Sequence, residues 1–329
     1  MNQAKRYFII GLSVLAMGAL RLPFEQRVTK QLYDEGLLAP KLKVRTGEKI
    51  GQTFYAVSLG GLRTLVATFM NLRAYGFFEE QKWAEVAETY DFIVDLAPHT
   101  RYYWDTGSWH QAYNAASYYL YGTTDLSSHR RKQAWRDFIV GGRDFLEDGI
   151  RNNPRDPALY ERLGYLLADP NKIAAFGDYS AAFEDSYDAY MGAVRLDMVR
   201  NKYAKRAALY SLARVPGREK ESLELAMEIR AEQKILPPTM LGLLYTLRYY
   251  KDPEQSVMGL VDSVFPSRQG AYEVLGNQWL RTRDRFPVHG VAKAITLLEL
   301  EMGIPTENSL LIQELPPPMN PDDFFFKQR

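Results

Sequence analysis

The chain has 329 residues, 46% of them hydrophobic and 25% charged, with 41 Lys and Arg against 40 Asp and Glu and no cysteine. This balance excludes a mostly disordered chain or a polytopic membrane protein. A net charge of +1 supplies no global field to hold nucleic acid or coat an anionic membrane. The lack of thiols excludes disulfide scaffolds, cysteinyl zinc sites, iron–sulfur clusters and thiol catalysis. Aromatic content is the unusual number, 13% with 22 Tyr and 5 Trp, so helices should carry many large side chains with polar tips.

The N-terminus has the shape of a targeting segment. Lys5 and Arg6 precede an unbroken apolar run over residues 7–20, which Arg21 closes. Fourteen helical residues rise only about 21 Å, short of a hydrocarbon core of roughly 30 Å. Counting on to Phe24, with Arg21 snorkelling, extends the run to about 27 Å, enough for a thin bilayer. Residues 1–24 are therefore a membrane anchor or a signal peptide cut near Ala16-Met17-Gly18. Arg21 and the amphipathic stretch 25–38 make a poor mature N-terminus and favour the retained anchor, with residues 25–51 as amphipathic helix and linker. Positive groups before and after the run tie, so they set no orientation. The short basic leader is the common export layout and points the body out of the cytoplasm, to the periplasmic side if the chain is bacterial.

From residue 52 on, helix-period segments alternate with short Pro, Gly and Asp punctuation, without hairpin dipeptides between period-2 runs. The expected fold is all-α. Breaks fall at Ala97-Pro98, Asn153-Pro154, Asp156-Pro157, Asp169-Pro170, Val215-Pro216-Gly217, Leu236-Pro237-Pro238, Asp252-Pro253, Phe265-Pro266 and Phe286-Pro287. A proline inside a helix costs about 3 kcal/mol, so these mark helix ends. The Asp and Asn before several of them are expected to cap the helix that follows.

Residues 158–167 (ALYERLGYLL) align with 270–279 (GAYEVLGNQW), sharing Tyr-Glu-x-Leu-Gly and a bulky residue three places after the glycine. Leu163 and Leu275 lie 112 positions apart, about three helical hairpins at 34 to 40 residues each. Lys82-Trp83-Ala84-Glu85, Tyr90 and the closing Pro98 read as a second-helix counterpart, and Gly177-Asp178-Tyr179-Ser180-Ala181-Ala182 repeats its opening. On these motifs the region 52–304 resembles the tetratricopeptide-repeat (TPR) family of α-solenoids. The pattern departs from the family in spacing, since Gly164 to Ala182 is 18 residues rather than about 12. Val86 also stands where the family has a small residue. The resemblance implies five or six degenerate TPR-like hairpins stacked as an α-solenoid. A closed (α/α) toroid or an irregular bundle shares the same period. Residues 305–329 form a Pro-rich tail ending in Phe324-Phe325-Phe326, and these three rings either fold back on the array or dock a partner.

Catalytic and metal constellations are missing from the text of the chain. His99, His110, His129 and His289 do not pair at metal-ligand spacing. Gly60-Gly61 and Gly141-Gly142 lack the Lys-Ser/Thr of a phosphate loop and read as helix packing or helix ends. No Gly-x-Ser-x-Gly elbow occurs. The stretch from Tyr102 to Asn114, with Trp104, Asp105, Trp109, His110 and Tyr113, sets aromatic platforms beside an acid and a histidine. That combination suits a carbohydrate-active (α/α) enzyme, or else Trp104, Trp109, Tyr113 and Tyr119 serve as core or groove residues.

In the TPR family the first helix of each hairpin lines a concave groove. The resemblance then implies Glu161 and Tyr165, and Glu273, Asn277 and Arg281, as groove residues of the matched units, with Asn71, Tyr75 and Tyr113 in weaker ones. The basic run Arg195, Arg200, Lys202, Lys205 and Arg206 reads as one helical stretch, either a dock for an anionic partner or a solvated face paired with acids. The expected role is a membrane-tethered, non-enzymatic scaffold that binds a protein or peptide, without cofactor, metal or nucleic acid. The alternatives are the carbohydrate enzyme and a soluble cytoplasmic TPR adaptor.

Overall fold

The computed structural model describes residues 63–123, 126–197, 202–233 and 235–313, and Arg27 as a single helical position. The anchor, the amphipathic stretch 25–38 apart from Arg27, Gly60-Gly61, Arg200 and the three-phenylalanine tail lie outside the described residues. Among the described residues no helix is long and apolar enough to cross a membrane.

Every regular element among the described residues is helical. The chain forms two compact units, Met1–Leu159 and Tyr160–Arg329. The first contains α1 (Arg63–Glu79), α2 (Trp83–Leu96), α3 (Arg101–Trp109) and α4 (Ser128–Asn152). Two wide π-type turns, His110–Ala115 and Tyr118–Gly122, extend α3. Helix α5 (Pro157–Ala168) carries the chain into the second unit. There follow α6 (Tyr179–Leu196), α7 (Lys202–Leu212), α8 (Glu219–Glu232), α9 (Pro238–Lys251), α10 (Val257–Val264), α11 (Arg268–Asn277) and α12 (Val291–Met302). A π-type turn, Gln278–Thr282, extends α11, and the 3₁₀ turns Thr306–Asn308 and Leu310–Ile312 follow α12.

The proline breaks all lie at or just beyond helix ends, as their missing N–H requires. Asp156 caps α5, its Oδ1 accepting the Ala158 N–H at 3.0 Å. Asp178 caps α6, accepting from Ser180 and Ala181 at 2.8 and 3.2 Å. Asn153 behaves differently from the expectation. Its amide donates backwards, to Gly149 O at 3.1 Å and Pro98 O at 2.8 Å, closing α4 and tying it to the α2–α3 link. The reason is that orphan carbonyls at the end of α4 need donors, and the Asn amide is the nearest.

In the first unit α3 and α4 run antiparallel, because contacts climb one helix as they descend the other. Trp104 lies under Gly149, Ser108 and Ala112 straddle Gly142, and Gln111 meets Gly141. A Cβ at Gly142 would sit 2.8 Å from the Ala112 Cβ and 3.0 Å from the Ser108 carbonyl, so only glycine lets the helices close. The packing expected for Gly141-Gly142 is thus what the fold uses.

The second unit repeats this logic between α5 and α6. Tyr160 packs on Gly192 and Tyr190 on Gly164, and Ser186 Oγ donates to Gly164 O at 2.8 Å. Higher positions on one helix again face lower ones on the other, which makes the pair antiparallel. Beyond it α7, α8, α9, α10 and α11 each pack on the helix next in line, and α9 meets α11 as α10 meets α12. Their shared core includes Leu209, Ile229, Leu244, Val261, Leu275 and Ile295. Tyr245 is its largest fully buried side chain, its hydroxyl donating to Gly290 O at 3.1 Å. Leu163 on α5 and Leu275 on α11 stand six helices apart, so the 112-residue offset spans three helix pairs.

The basic run is not one helix. Helix α6 ends at Leu196 and α7 begins at Lys202. Lys205 turns inward and holds Glu228 and Glu232 of α8 at 2.7 and 2.6 Å, while Arg206 donates to Gln233 at 3.1 Å. A cation with a long apolar stem covers core surface while its head reaches acids at the rim. Ahead of the proline stretch, Leu310 N–H donates to the buried Glu299 carboxylate at 2.8 Å and its side chain covers Gly276.

Candidate functional site

In the first unit the predicted residues fall on α1 and α3 around an aromatic nest. Asn71 is half-buried and accepts the Tyr90 hydroxyl of α2 at 2.9 Å. Tyr75 lies one turn further on, exposed, with its ring stacked at 6.1 Å on Phe78. Phe78 then meets Trp83 edge-on at 5.5 Å and His110 at 5.1 Å. Burial pushes the Tyr90 hydroxyl well above the ordinary tyrosine range, with smaller contributions from Tyr102 and Tyr103. Burial likewise lowers the His110 pKa.

The wide turn His110–Ala115 continues the helix, along which side chains four apart are neighbours. Trp109 and Tyr113 stack at 4.2 Å with planes 16° apart, and the Asn114 amide lies 2.9 Å from His110 Nδ1. The same stretch therefore divides in two. Trp104 is core, donating Nε1–H to Pro98 O at 2.7 Å and packing on Phe145. Trp109 is 44% exposed and backs onto Tyr113. Tyr119 stacks on Phe138 of α4 at 5.2 Å. Asp105 accepts the Ser108 hydroxyl through its backbone carbonyl at 2.8 Å, whereas the His110 ring turns toward Phe78 and Tyr90.

In the second unit Glu161 and Tyr165 lie on α5. Glu161 is half-buried and adds to the upward shift of the Tyr190 hydroxyl, which burial dominates. Tyr165 is exposed. On α11, Glu273 and Asn277 are exposed, and Arg281 is exposed in the following turn. Gln269 donates to Glu273 at 3.1 Å, and Asn277 donates to the Glu273 carbonyl at 2.9 Å. The opposite side of α11 buries Ala271, Leu275 and Gly276. Gln278 is anchored there, donating to Thr246 Oγ1 and Pro287 O at 3.2 and 2.8 Å. Glu273, Asn277 and Arg281 thus share one helix, while Glu161 and Tyr165 stand on another, six helices away in the chain.

Sequence reasoning missed the wide turns and the seating of His110. Neither has a composition signal, because both arise when α3 closes on α2 and α4. It also missed how the exposed rings are distributed, although alternation of aromatic and small residues across one helix carries a trace of it. Among the described residues no three His, Asp or Glu side chains gather as a metal site. No protein-family model, curated protein or solved structure matches this chain.

Proposed function

We propose that the chain is a non-enzymatic scaffold, tethered through residues 7–24, that holds a protein or peptide partner on the first helices of degenerate TPR-like hairpins. The observation that supports this most is the placement of exposed aromatic rings. Phe69 and Tyr75 lie on α1, Tyr102 and Trp109 on α3 with Tyr121 in its extension, Tyr165 on α5, Tyr203 on α7 and Tyr250 on α9. Among the described residues only Tyr179, the first residue of α6, exposes a Phe, Tyr or Trp ring on an even-numbered helix. Counted in consecutive pairs, the odd-numbered helices are the first helices, the ones that line the groove in the family the motifs resemble.

Exposed rings leave apolar area in water, and large patches of that kind mark interaction sites. Tyr and Trp offer contact area at low entropic cost, and Asn, Glu and Arg among them supply backbone-directed hydrogen bonds and charge selection. Asn71, Tyr75 and Tyr113 play these parts in the first unit, and Glu161, Tyr165, Glu273, Asn277 and Arg281 in the second. The partner is an extended segment on the same side of the membrane as the body, outside the cytoplasm.

Affinity purification of the full chain from detergent-solubilised membranes, followed by mass spectrometry, tests this reading. A Tyr75→Ser/Trp109→Ser/Tyr165→Ser variant with unchanged helical circular dichroism should lose the partners that the wild type retains. Retention of the same partners by this variant, and by Glu161→Lys/Glu273→Lys, would overturn groove binding.

A further inference from the structure

Three buried or bridging cations of the second unit stand beside acids. Arg218 pairs with Glu184 and Glu221, Lys205 with Glu228 and Glu232, and Arg268 with Asp262 and Glu301. Arg214, just past the end of α7, is held differently. Among the described residues its guanidinium makes no hydrogen bond and no ion pair, and two phenylalanines grip it instead. Its Cζ lies 4.9 Å from the Phe183 ring centroid and 4.3 Å from that of Phe286. Nε is shut off from solvent without a partner. Burial pulls the group down to about 10, and Arg285 pushes the same way against Tyr190 and Asp284. It is still cationic at neutral pH.

With two rings packed against the guanidinium and Nε enclosed, the Nη edge is left to meet a ligand. That edge presents two parallel N–H groups, the geometry that matches a carboxylate. The local charge fits one negative charge rather than two. Arg285 already leans on Asp284, with Nε and Oδ2 3.6 Å apart, so Arg214, Arg285 and Asp284 together carry a single net positive charge. Phe286 in turn meets Tyr210, their ring centroids 6.1 Å apart, which extends the aromatic wall beside the guanidinium. A desolvated cation left unpaired is costly, and an apolar ligand bearing a carboxylate would satisfy charge and wall together.

We propose that Arg214, packed against Phe183 and Phe286, is the anchor of a small-molecule site for a monocarboxylate with an apolar or aromatic body. The site stands independently of the peptide-binding faces proposed above, since Phe183, Arg214 and Phe286 are none of the residues assigned to them.

The test titrates the full chain, in an uncharged detergent, with N-acetyl-L-phenylalanine, with its neutral amide and with inorganic phosphate, read by calorimetry. The acid should bind at least tenfold more tightly than either of the others. Arg214→Gln should abolish that preference, and Arg214→Lys, which keeps the charge but not the fork, should weaken acid binding several-fold. Equal binding of acid and amide, preference for phosphate, no acid binding, or an acid preference that survives Arg214→Gln would overturn the proposal. The wild-type comparison of acid with amide decides it even if a variant fails to fold.

Discussion

Gly164→Ala tests the α5–α6 contact on which the repeat reading of the second unit stands. A Cβ built at Gly164 falls 2.8 to 2.9 Å from three atoms of the Tyr190 ring, where carbon atoms prefer about 3.5–4.0 Å. Tyr190 is 3% exposed, so its ring has little room to retreat. Overpacking of this kind costs about 1–3 kcal/mol. Alanine regains about 1 kcal/mol of helix propensity over glycine, which leaves a net loss of about 0–2 kcal/mol. Gly76→Ala is the matched control, because nothing lies within 4 Å of a Cβ built there. With no overpacking to offset it, propensity alone should stabilise that variant by up to about 1 kcal/mol. Urea denaturation followed by circular dichroism measures both. The reasoning is refuted if Gly164→Ala stabilises the protein as Gly76→Ala does, since Tyr190 would then not be pressed against α5.

Three further outcomes follow from particular contacts. Burial lowers the His110 pKa, so the unfolded chain takes the proton first as pH falls below about 6.5. His110 therefore removes stability on acidification, at no more than about 1.4 kcal/mol per pH unit for one proton, and His110→Gln should flatten the difference between urea midpoints at pH 7.5 and 5.5 relative to wild type. Tyr245→Phe deletes the hydroxyl that donates to Gly290 O and should cost about 1 kcal/mol in the same denaturation assay, without loss of helix. Lys205→Met should change stability by less than about 1 kcal/mol, because Glu228 and Glu232 are exposed at 60% and 44% and water takes over their solvation; a loss of several kcal/mol would show that the ion pairs, rather than the apolar stem, hold α7 to α8.

Helix existence and helix ends were legible because proline chemistry is local. Every Pro-marked break lies at a helix end, and Asp156 and Asp178 cap as their side chains dictate. The direction in which Asn153 bonds was not legible, because its carbonyl partner Pro98 is 55 positions away. The Leu-Gly signature identified a close approach at both Gly164 and Gly276, but not what approaches. At Gly164 it is Tyr190 of the next helix, and at Gly276 it is Leu310 from the turn after α12. The basic run misled for a related reason: like charges adjacent in sequence were split by the α6–α7 link, and Lys205 found acids more than 20 positions on. Arg214 carried no signal at all, since Phe183 and Phe286 come from segments that meet only in the folded unit. The groove residues were assigned by resemblance, and their exposure at Tyr75, Tyr165, Glu273, Asn277 and Arg281 is compatible with a binding role.

The central claim is that partners bind on first helices, and site-specific photocrosslinking in membranes probes it most directly. A photoreactive residue placed in turn at Tyr75, Trp109 and Tyr165 of α1, α3 and α5 should trap a partner protein. The same residue at Arg136 of α4 and Glu224 of α8, which are also exposed, should not. Equal trapping from both sets, or trapping from α4 and α8 alone, would contradict the account.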